Sequence, residues 1–448
     1  MAPCATRLGV VGKSQHVHSK LYRRYVTTLL LLVYVLNQLD RRVFDILMEP
    51  IKREFSLTDT QLAFLQGPAL VLLYSFLGIP VARWADSGRR VRIMTVAITL
   101  WSAIAALTAT VHQFWKLALV RVGVGVGEAG FSAVAVSVIS DYESDTDRAR
   151  ALSIFMLAYP LAGLISNLLG GWINQLYGWR PVFVIAGLPG ILLALLMATT
   201  VREPSRRLAS DSVGLNRPPL RVVLTTLWQR RGLRHLAIAQ GLSNVVVNSM
   251  GWVSVLFIRQ HHMATGELGS WLALTDGVGG CVSIWLSGFL VARYAVKDAR
   301  TKTSLLAFAS LLVTPLALLV LWHPSKNTAL VAYLLLNLPM LFYMAPTTVL
   351  VQDLAGPTMR ATMAAIFFLI QMLLGGVLAS QLVGTLSDMF TSLTGDSTLG
   401  LRWSMTLGSL VTLWAAVHFW LAGRFVCEDL ARGNAETPHS LDQADVSV

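Results

Sequence analysis

Charge is what this sequence has least of. Only 13% of its 448 residues are Asp, Glu, Lys or Arg, while 54% are hydrophobic and the mean hydropathy is +0.60. An ordinary soluble domain carries about 25% charged residues, so the composition excludes a water-soluble globular protein and points to a polytopic membrane protein. Cysteine is also scarce: Cys4, Cys281 and Cys427 are an odd set scattered over a tail and two apolar stretches, which indicates neither a disulfide framework nor a metal cluster. A G-x-x-x-x-G-K-[ST] phosphate loop is missing, so ATP is not expected to power the protein. H-E-x-x-H is missing as well, although His261, His262 and Glu267 lie close together. No nucleophile, base and orienter gather within the apolar stretches, which argues against an integral-membrane enzyme. The polar segment from Met1 to Lys20 shows no removable signal peptide, leaving the first span to direct insertion. Neither a metal nor a cofactor is expected.

What is present is a series of apolar windows, each about 20 residues long, near 26–47, 60–82, 93–111, 115–139, 151–173, 181–201, 235–258, 270–292, 303–322, 328–351, 362–386 and 403–425. The expected fold is therefore all-α, with twelve transmembrane helices. The longest gap, Arg202 to Arg234, is basic and contains Pro204, Pro218 and Pro219, which divides six spans from six. This gives a tail over 1–24, a first half over 25–201, a linker over 202–234 with an amphipathic helix around 219–229, a second half over 235–426 and a tail over 427–448. The net charge of +12 does not mark a nucleic-acid binder, because the basic residues sit between spans rather than in a patch with aromatics. Outer loops would hold only Lys52, Arg53, Lys116, Arg180, Arg259, Lys326 and Arg402. That bias places both termini in the cytoplasm, in a bacterial inner membrane.

The most informative stretch is Arg121 to Phe131, R-V-G-V-G-V-G-E-A-G-F, which sets two opposite charges and four glycines inside an apolar span. A charge at membrane depth costs several kcal/mol, about +2.5 to +3.5 on the most lenient scale, so it normally marks a substrate or ion pathway. Seven residues along a helix return to nearly the same azimuth about 10 Å further on, so Arg121 and Glu128 share a face. Gly125 to Gly130 also fits G-x-G-x-x-G, with Asp145 and Asp147 downstream, but a dinucleotide site needs a strand, a turn and a helix rather than a continuous apolar span. Gly123 and Gly127 instead suit close helix approach.

The halves repeat. Gly78-Ile-Pro-Val-Ala-Arg83-Trp-Ala recurs 210 residues on, from 78 to 288, as Gly288-Phe-Leu-Val-Ala-Arg293-Tyr-Ala. Asp141-x6-Arg148-Ala149-x4-Ile154-Phe155 recurs 212 residues on, from 141 to 353, as Asp353-x6-Arg360-Ala361-x4-Ile366-Phe367. Repeat-built transporters would show this pattern.

Twelve spans in two repeated halves, with G-x-x-x-A-R-x-A-D-x-G-R-R over Gly78–Arg90, resemble the major facilitator superfamily. Ser87 stands where that family often has an arginine, and the run is one residue shorter. Within the superfamily, Asn37-Gln-Leu-Asp40-Arg41, the run Ser56-Leu-Thr-Asp-Thr-Gln-Leu62 and Arg121 to Gly130 are similar to the spinster-like transporters, over most of residues 25–205. That family is associated with lysophospholipids and sphingosine phosphates in animals. The resemblance implies proton-carrying roles for Asp40 and Glu128 and a matching arginine in Arg121, with Arg41 and Asn37 in the same motif.

Depth estimates at 1.5 Å per residue put Asp40 about 24 Å from the inner start of the first span and Arg121 about 10 Å from the outer start of the fourth. Asp40 and Arg121 are thereby expected at comparable depth and able to pair, which leaves Glu128 freer to bind a proton. A carboxylate near mid-membrane loses hydration, which favours a protonation role. The alternative for Asp40 is a structural pair with Arg41, Arg42 or Arg121; for Arg121, substrate contact and tuning of the carboxylates both stay open. Asp86, Arg89, Arg90, Asp141, Arg148, Arg293 and Arg360, with Gly78, are read as a cytoplasmic gate, solvated loops being the alternative. In the second half Asp276 is the one intramembrane charge, and Gln240, Asn244 and Asn248 form an i, i+4, i+8 stripe that Trp252 continues. Cavity lining competes there with plain helix-to-helix hydrogen bonding, as it does for Asn337, Tyr343, Thr347 and Gln371.

The expectation is a monomeric, proton-linked secondary transporter working by alternating access, its partners being protons, the bilayer and an amphipathic or lipid-like organic anion. A carrier of small polar metabolites and an uncoupled uniporter are the alternatives.

Overall fold

The computed structural model of the protein describes residues 19–87, 89–129, 131–143, 145–204, 218–294, 298–355 and 359–435, and these are helical almost throughout. Chain direction alternates through twelve spans. The first is a single helix, Lys20–Phe55, opened by the Ser19 side chain accepting from the Tyr22 amide and closed by Ser56 at φ +52°. It outruns the 26–47 apolar window because its charged flanks stay helical. The second is Asp59–Gln66 joined to Pro68–Ser87, the third Arg90–Leu107 and the fourth Phe114–Glu128 with Phe131–Tyr142. Asp145–Met156 with Ala158–Tyr177 and then Trp179–Thr200 complete the first half, and a short helix, Leu220–Gln229, follows in the linker.

The second half runs Arg231–Met250 with Val253–His261, then Thr265–Leu272 continuing through a π-helical segment at Ala273–Gly279 into Gly280–Tyr294, then Ala299–Trp322. Its last spans are Lys326–Met340 with Met344–Ala355, Arg360–Gln371 continued by a π-helical segment at Met372–Ala379 and by Ser380–Thr394, and Ser397–Ala435. Among the described residues ten helical stretches are long and apolar enough to cross a membrane. The first span misses that standard because charge closes its apolar run on both sides. In the fourth the helix ends at Glu128, with Ala129 at ψ +127°, where sequence periodicity alone predicts one continuous segment over 115–139.

The ends of the bundle differ. One end carries the start of the Lys20–Phe55 helix, the end of the Ser397–Ala435 helix and the linker helix; at the other, the far side, the two halves meet closely. Glycine makes that approach possible: a Cβ on Gly171 would lie 2.3 Å from the Thr265 carbonyl oxygen, one on Gly269 2.2 Å from that of Asn167, and one on Gly67 2.2 Å from that of Gly376. Spans five and eight, and two and eleven, therefore pack backbone to backbone. Without a hydrophobic drive inside lipid, such close van der Waals contact is a main source of helix association.

Candidate functional site

At the centre of the first half, spans one, two and four bring opposite charges together. Arg41 Nε donates to Glu128 Oε2 at 2.6 Å, and the Arg41 guanidinium lies 4.0 Å from the Tyr74 ring centre. Arg121 Nη1 stands 3.5 Å from Asp40 Oδ2, an ion pair without hydrogen-bond geometry, while its Nε reaches the Leu65 carbonyl at 3.4 Å and its plane covers the Phe44 ring at 4.4 Å. Asp40, Arg121 and Glu128 are exposed by only 2%, 1% and 1%. Asn37 Nδ2, both Asp40 carboxylate oxygens, Arg121 Nη1 and Glu128 Oε1 are buried without a hydrogen-bond partner among the described residues. Buried polar groups are nearly always satisfied, so five such atoms in one cluster mark a site and not a packed core.

Two sequence expectations change here. Glu128 is not the freer carboxylate, since Arg41, next to Asp40 but about 100° round the same helix, reaches it. Arg121 is packed among Asp40, Leu65 and Phe44 rather than lining an open cavity. The depth estimate did bring Asp40 and Arg121 side by side.

Sequence reasoning named Arg42 only as an alternative partner of Asp40 and Asp276 only as an intramembrane charge, and missed the more accessible group they form with Asp45. Arg42 lies over Tyr159 at 5.3 Å and acts electrostatically on Asp45 and Asp276. Asp45 accepts from Gln66 Nε2 at 2.9 Å. Asp276, in the π-helical segment of span eight, accepts from Tyr333 Oη at 3.0 Å and from Asn167 Nδ2 of the first half at 3.3 Å. The signal was the run Asp40-Arg41-Arg42-x-x-Asp45, which wraps charge around most of one helix and so must serve more than one face.

The polar side chains of the second half find each other. Gln240 Nε2 donates to Gln371 at 3.0 Å, Asn244 Nδ2 to the Tyr343 hydroxyl at 3.3 Å, Gln371 Nε2 to the same hydroxyl at 3.4 Å and Asn248 Nδ2 to Asn244 Oδ1 at 2.9 Å. Trp252 is fully buried in the break after Met250, off the helical phase of that stripe. Asn337 bonds back to the Tyr333 carbonyl, and Thr347 is buried. An apolar groove runs beside span one, lined by Leu36, Leu39, Val43, Ile165, Leu169 and Pro189.

Among the described residues, the polar contacts between the halves are on the far side or at mid-depth. Arg259 reaches Glu49 at 2.9 Å and Asp59 at 2.7 and 3.0 Å, and Lys52 also pairs with Asp59. The Asp388 carboxylate of span eleven receives the amides of Asp59 and Thr60 at 2.9 and 2.8 Å, so it sits on the helix N-terminus that opens span two. Ser387, Asn174 with Thr265, and Gly266 with Gln175 add further bonds between the halves.

On the linker side, the ion pairs among the described residues stay within one half. Arg90 holds Asp141 at 2.5 Å and Glu203 at 3.2 Å, Arg23 holds Glu143 at 2.8 Å, and Arg360 Nε donates to the Gln352 carbonyl. Arg89 is exposed at the start of its helix, Arg148 is half-buried, and Arg293 lies over Tyr294. Gly78 and Asp86 fall in the helix Pro68–Ser87, and the Asp86 side chain lies outside the described residues. The halves are thus joined at the far side, and of the proposed gate residues Arg90 and Asp141 pair with each other inside the first half.

Comparison with known proteins agrees with this arrangement. The sequence profile described as the Major Facilitator Superfamily matches residues 30–380. An MFS-type efflux pump of Mycolicibacterium smegmatis is 30% identical over 403 residues, covering 88% of this chain and 91% of the pump. A sphingosine-1-phosphate transporter of Xenopus tropicalis is 25% identical, covering 91% and 82% of the two chains. Among solved structures, a bacterial homologue of the human lysosomal transporter spinster, inward-facing and unoccupied, superposes with a TM-score of 0.84 at 26% identity, over 92% of this chain and 99% of that one.

Proposed function

The chain belongs to the Major Facilitator Superfamily and is a multi-pass membrane transporter; from that premise we propose that it is a proton-coupled carrier of an amphipathic, lipid-like organic anion, working by alternating access. The observation that carries this reading is the quartet of Asp40, Arg41, Arg121 and Glu128, buried except for a part-exposed Arg41. Two acids and two bases held where hydration is lost form a set whose pairing changes when either acid takes a proton or when a substrate anion approaches an arginine. Proton uptake by Glu128 would release Arg41, which is part-exposed and therefore reachable by a substrate head group. Chemistry on both sides of the site supports an amphipathic substrate: guanidiniums in the first half, amides and Tyr343 in the second, and an apolar groove beside span one. The relatives named as sphingosine-1-phosphate transporter and spinster homologue point the same way.

The basic linker and the tail flanking span one favour a cytoplasmic linker side in a bacterial inner membrane. The far-side closure then corresponds to an inward-facing state. A cysteine placed at Arg221 should react with an impermeant thiol reagent only after the membrane is permeabilised; labelling in intact cells would reverse the assignment. Seven linker-side residues, Asp86, Arg89, Arg90, Asp141, Arg148, Arg293 and Arg360, are proposed to re-pair across the halves in the opposite state.

The test of coupling and of substrate class is one assay in proteoliposomes. A lysophospholipid or sphingoid phosphate should compete for flux driven by a pH gradient, and sugar acids should not. Competition by sugar acids alone would favour a carrier of polar metabolites, and gradient-independent flux would favour a uniporter.

A further inference from the structure

Across the bundle interior, between the far-side gate and the linker-side ends, the chain places three guanidiniums, Arg41, Arg42 and Arg121, and four carboxylates, Asp40, Asp45, Glu128 and Asp276. One negative charge is left over. A net charge at that depth costs several kcal/mol, so the set recruits one cation. Pairing decides where. Arg121 pairs with Asp40 and Arg41 with Glu128, whereas Asp45 and Asp276 make no ion pair among the described residues and have only neighbouring charges, Arg42 for both and Arg121 for Asp45 as well. The hydrogen-bond donors to these two carboxylates are neutral: Gln66 for Asp45, and Tyr333 with Asn167 for Asp276.

We propose that Asp276, sharing Arg42 with Asp45, is a further proton-carrying residue, the one such group that the second half contributes. This inference rests on the proton-coupled reading above and deepens it. Position gives the residue its effect. Asp276 belongs to span eight, but its Asn167 contact and its Arg42 neighbour belong to the first half. Separation of the halves moves the carboxylate away from both, leaving it with Tyr333 of its own half. A charged Asp276 then resists separation through lost attraction to Arg42, and a neutral one does not. Protonation thereby favours the state in which the halves part at this joint.

The groups facing Asp276 are few. Span one supplies Arg42 and Asp45, span five Asn167, and span ten Tyr333 and Asn337. Glu267, earlier on the same span, is taken by Lys326 near the far side.

The full-length protein in lipid nanodiscs, titrated with acid and base while the infrared absorbance of protonated carboxyl groups is followed, tests this without a known substrate. Asp276→Asn should remove about one carboxyl's worth of signal that Glu128→Gln leaves in place. Arg42→Gln should add about one, because two carboxylates then share no cation; a gain of signal is not what misfolding into solvated carboxylates produces. If Asp276→Asn and Arg42→Gln both match the wild-type titration while Glu128→Gln loses signal, Asp276 is overturned and the transport reading stands. Loss from none of these variants would remove both. Displacement of the signal by sodium at fixed pH would make the group a metal-cation site and overturn the proton assignment.

Discussion

The two halves of this transporter repeat the same loop motifs and differ almost completely inside. The first half places six charged side chains at membrane depth, Asp40, Arg41, Arg42, Asp45, Arg121 and Glu128; the second places one, Asp276, and otherwise offers amides and Tyr343. What the halves share fixes turns and helix ends, hence the fold. What they do not share is chemistry, so the first half is positioned to hold charge and the second to hold and release the first. The fold alone would not reveal this division, since unlike chemistries are grafted on one scaffold.

Removing a charge from the first half should do most damage. Arg121→Ala leaves Asp40 buried without a counterion, and breaking a buried pair typically costs about 3–5 kcal/mol. Thermal melting should show a large loss, with transport at background. Asp40→Asn added to Arg121→Ala should recover most of the stability and none of the transport. Recovery of transport as well would make the pair structural only.

The next largest effect is expected at the joint. Arg259, nearly buried between Glu49 and Asp59, holds span seven to spans one and two. Arg259→Ala should shift the balance of open and closed far sides by about 5–150-fold, the range of a 1–3 kcal/mol coupling. Distances between spin labels across the far side measure it; an unchanged distance distribution would assign closure to the glycine contacts instead.

Least change is expected in the second half. A hydrogen bond between helices in lipid is worth about 0.6 kcal/mol on average. Gln240→Leu with Gln371→Leu, which removes both partners, should therefore alter transport by only about threefold. Complete loss would show that these amides touch substrate, and the halves would be chemically more equal than described.

The sequence disclosed twelve spans, two halves and the depth match of Asp40 with Arg121, because hydropathy and helical rise are local quantities. It did not disclose that Arg41 holds Glu128, since two neighbouring residues on one helix point about 100° apart and choose partners only in three dimensions. The break after Glu128 was hidden for a related reason: glycine and alanine look apolar to a window, yet they let the helix end. Nor were Asp45 and Asp276 legible as a pair. They lie 231 positions apart in sequence, from 45 to 276, and only the packing of span one beside spans five and eight brings Asp276 near Arg42 and Asp45.

The central claim is that buried carboxylates of the first half couple transport to protons. Glu128→Gln keeps the acceptor that Arg41 uses but cannot lose a proton. The direct measurement is substrate accumulation driven by a pH gradient alongside substrate exchange at equal pH, in the same vesicles, for wild type and Glu128→Gln. Accumulation should vanish in the variant while exchange persists; wild-type accumulation by Glu128→Gln would contradict the account.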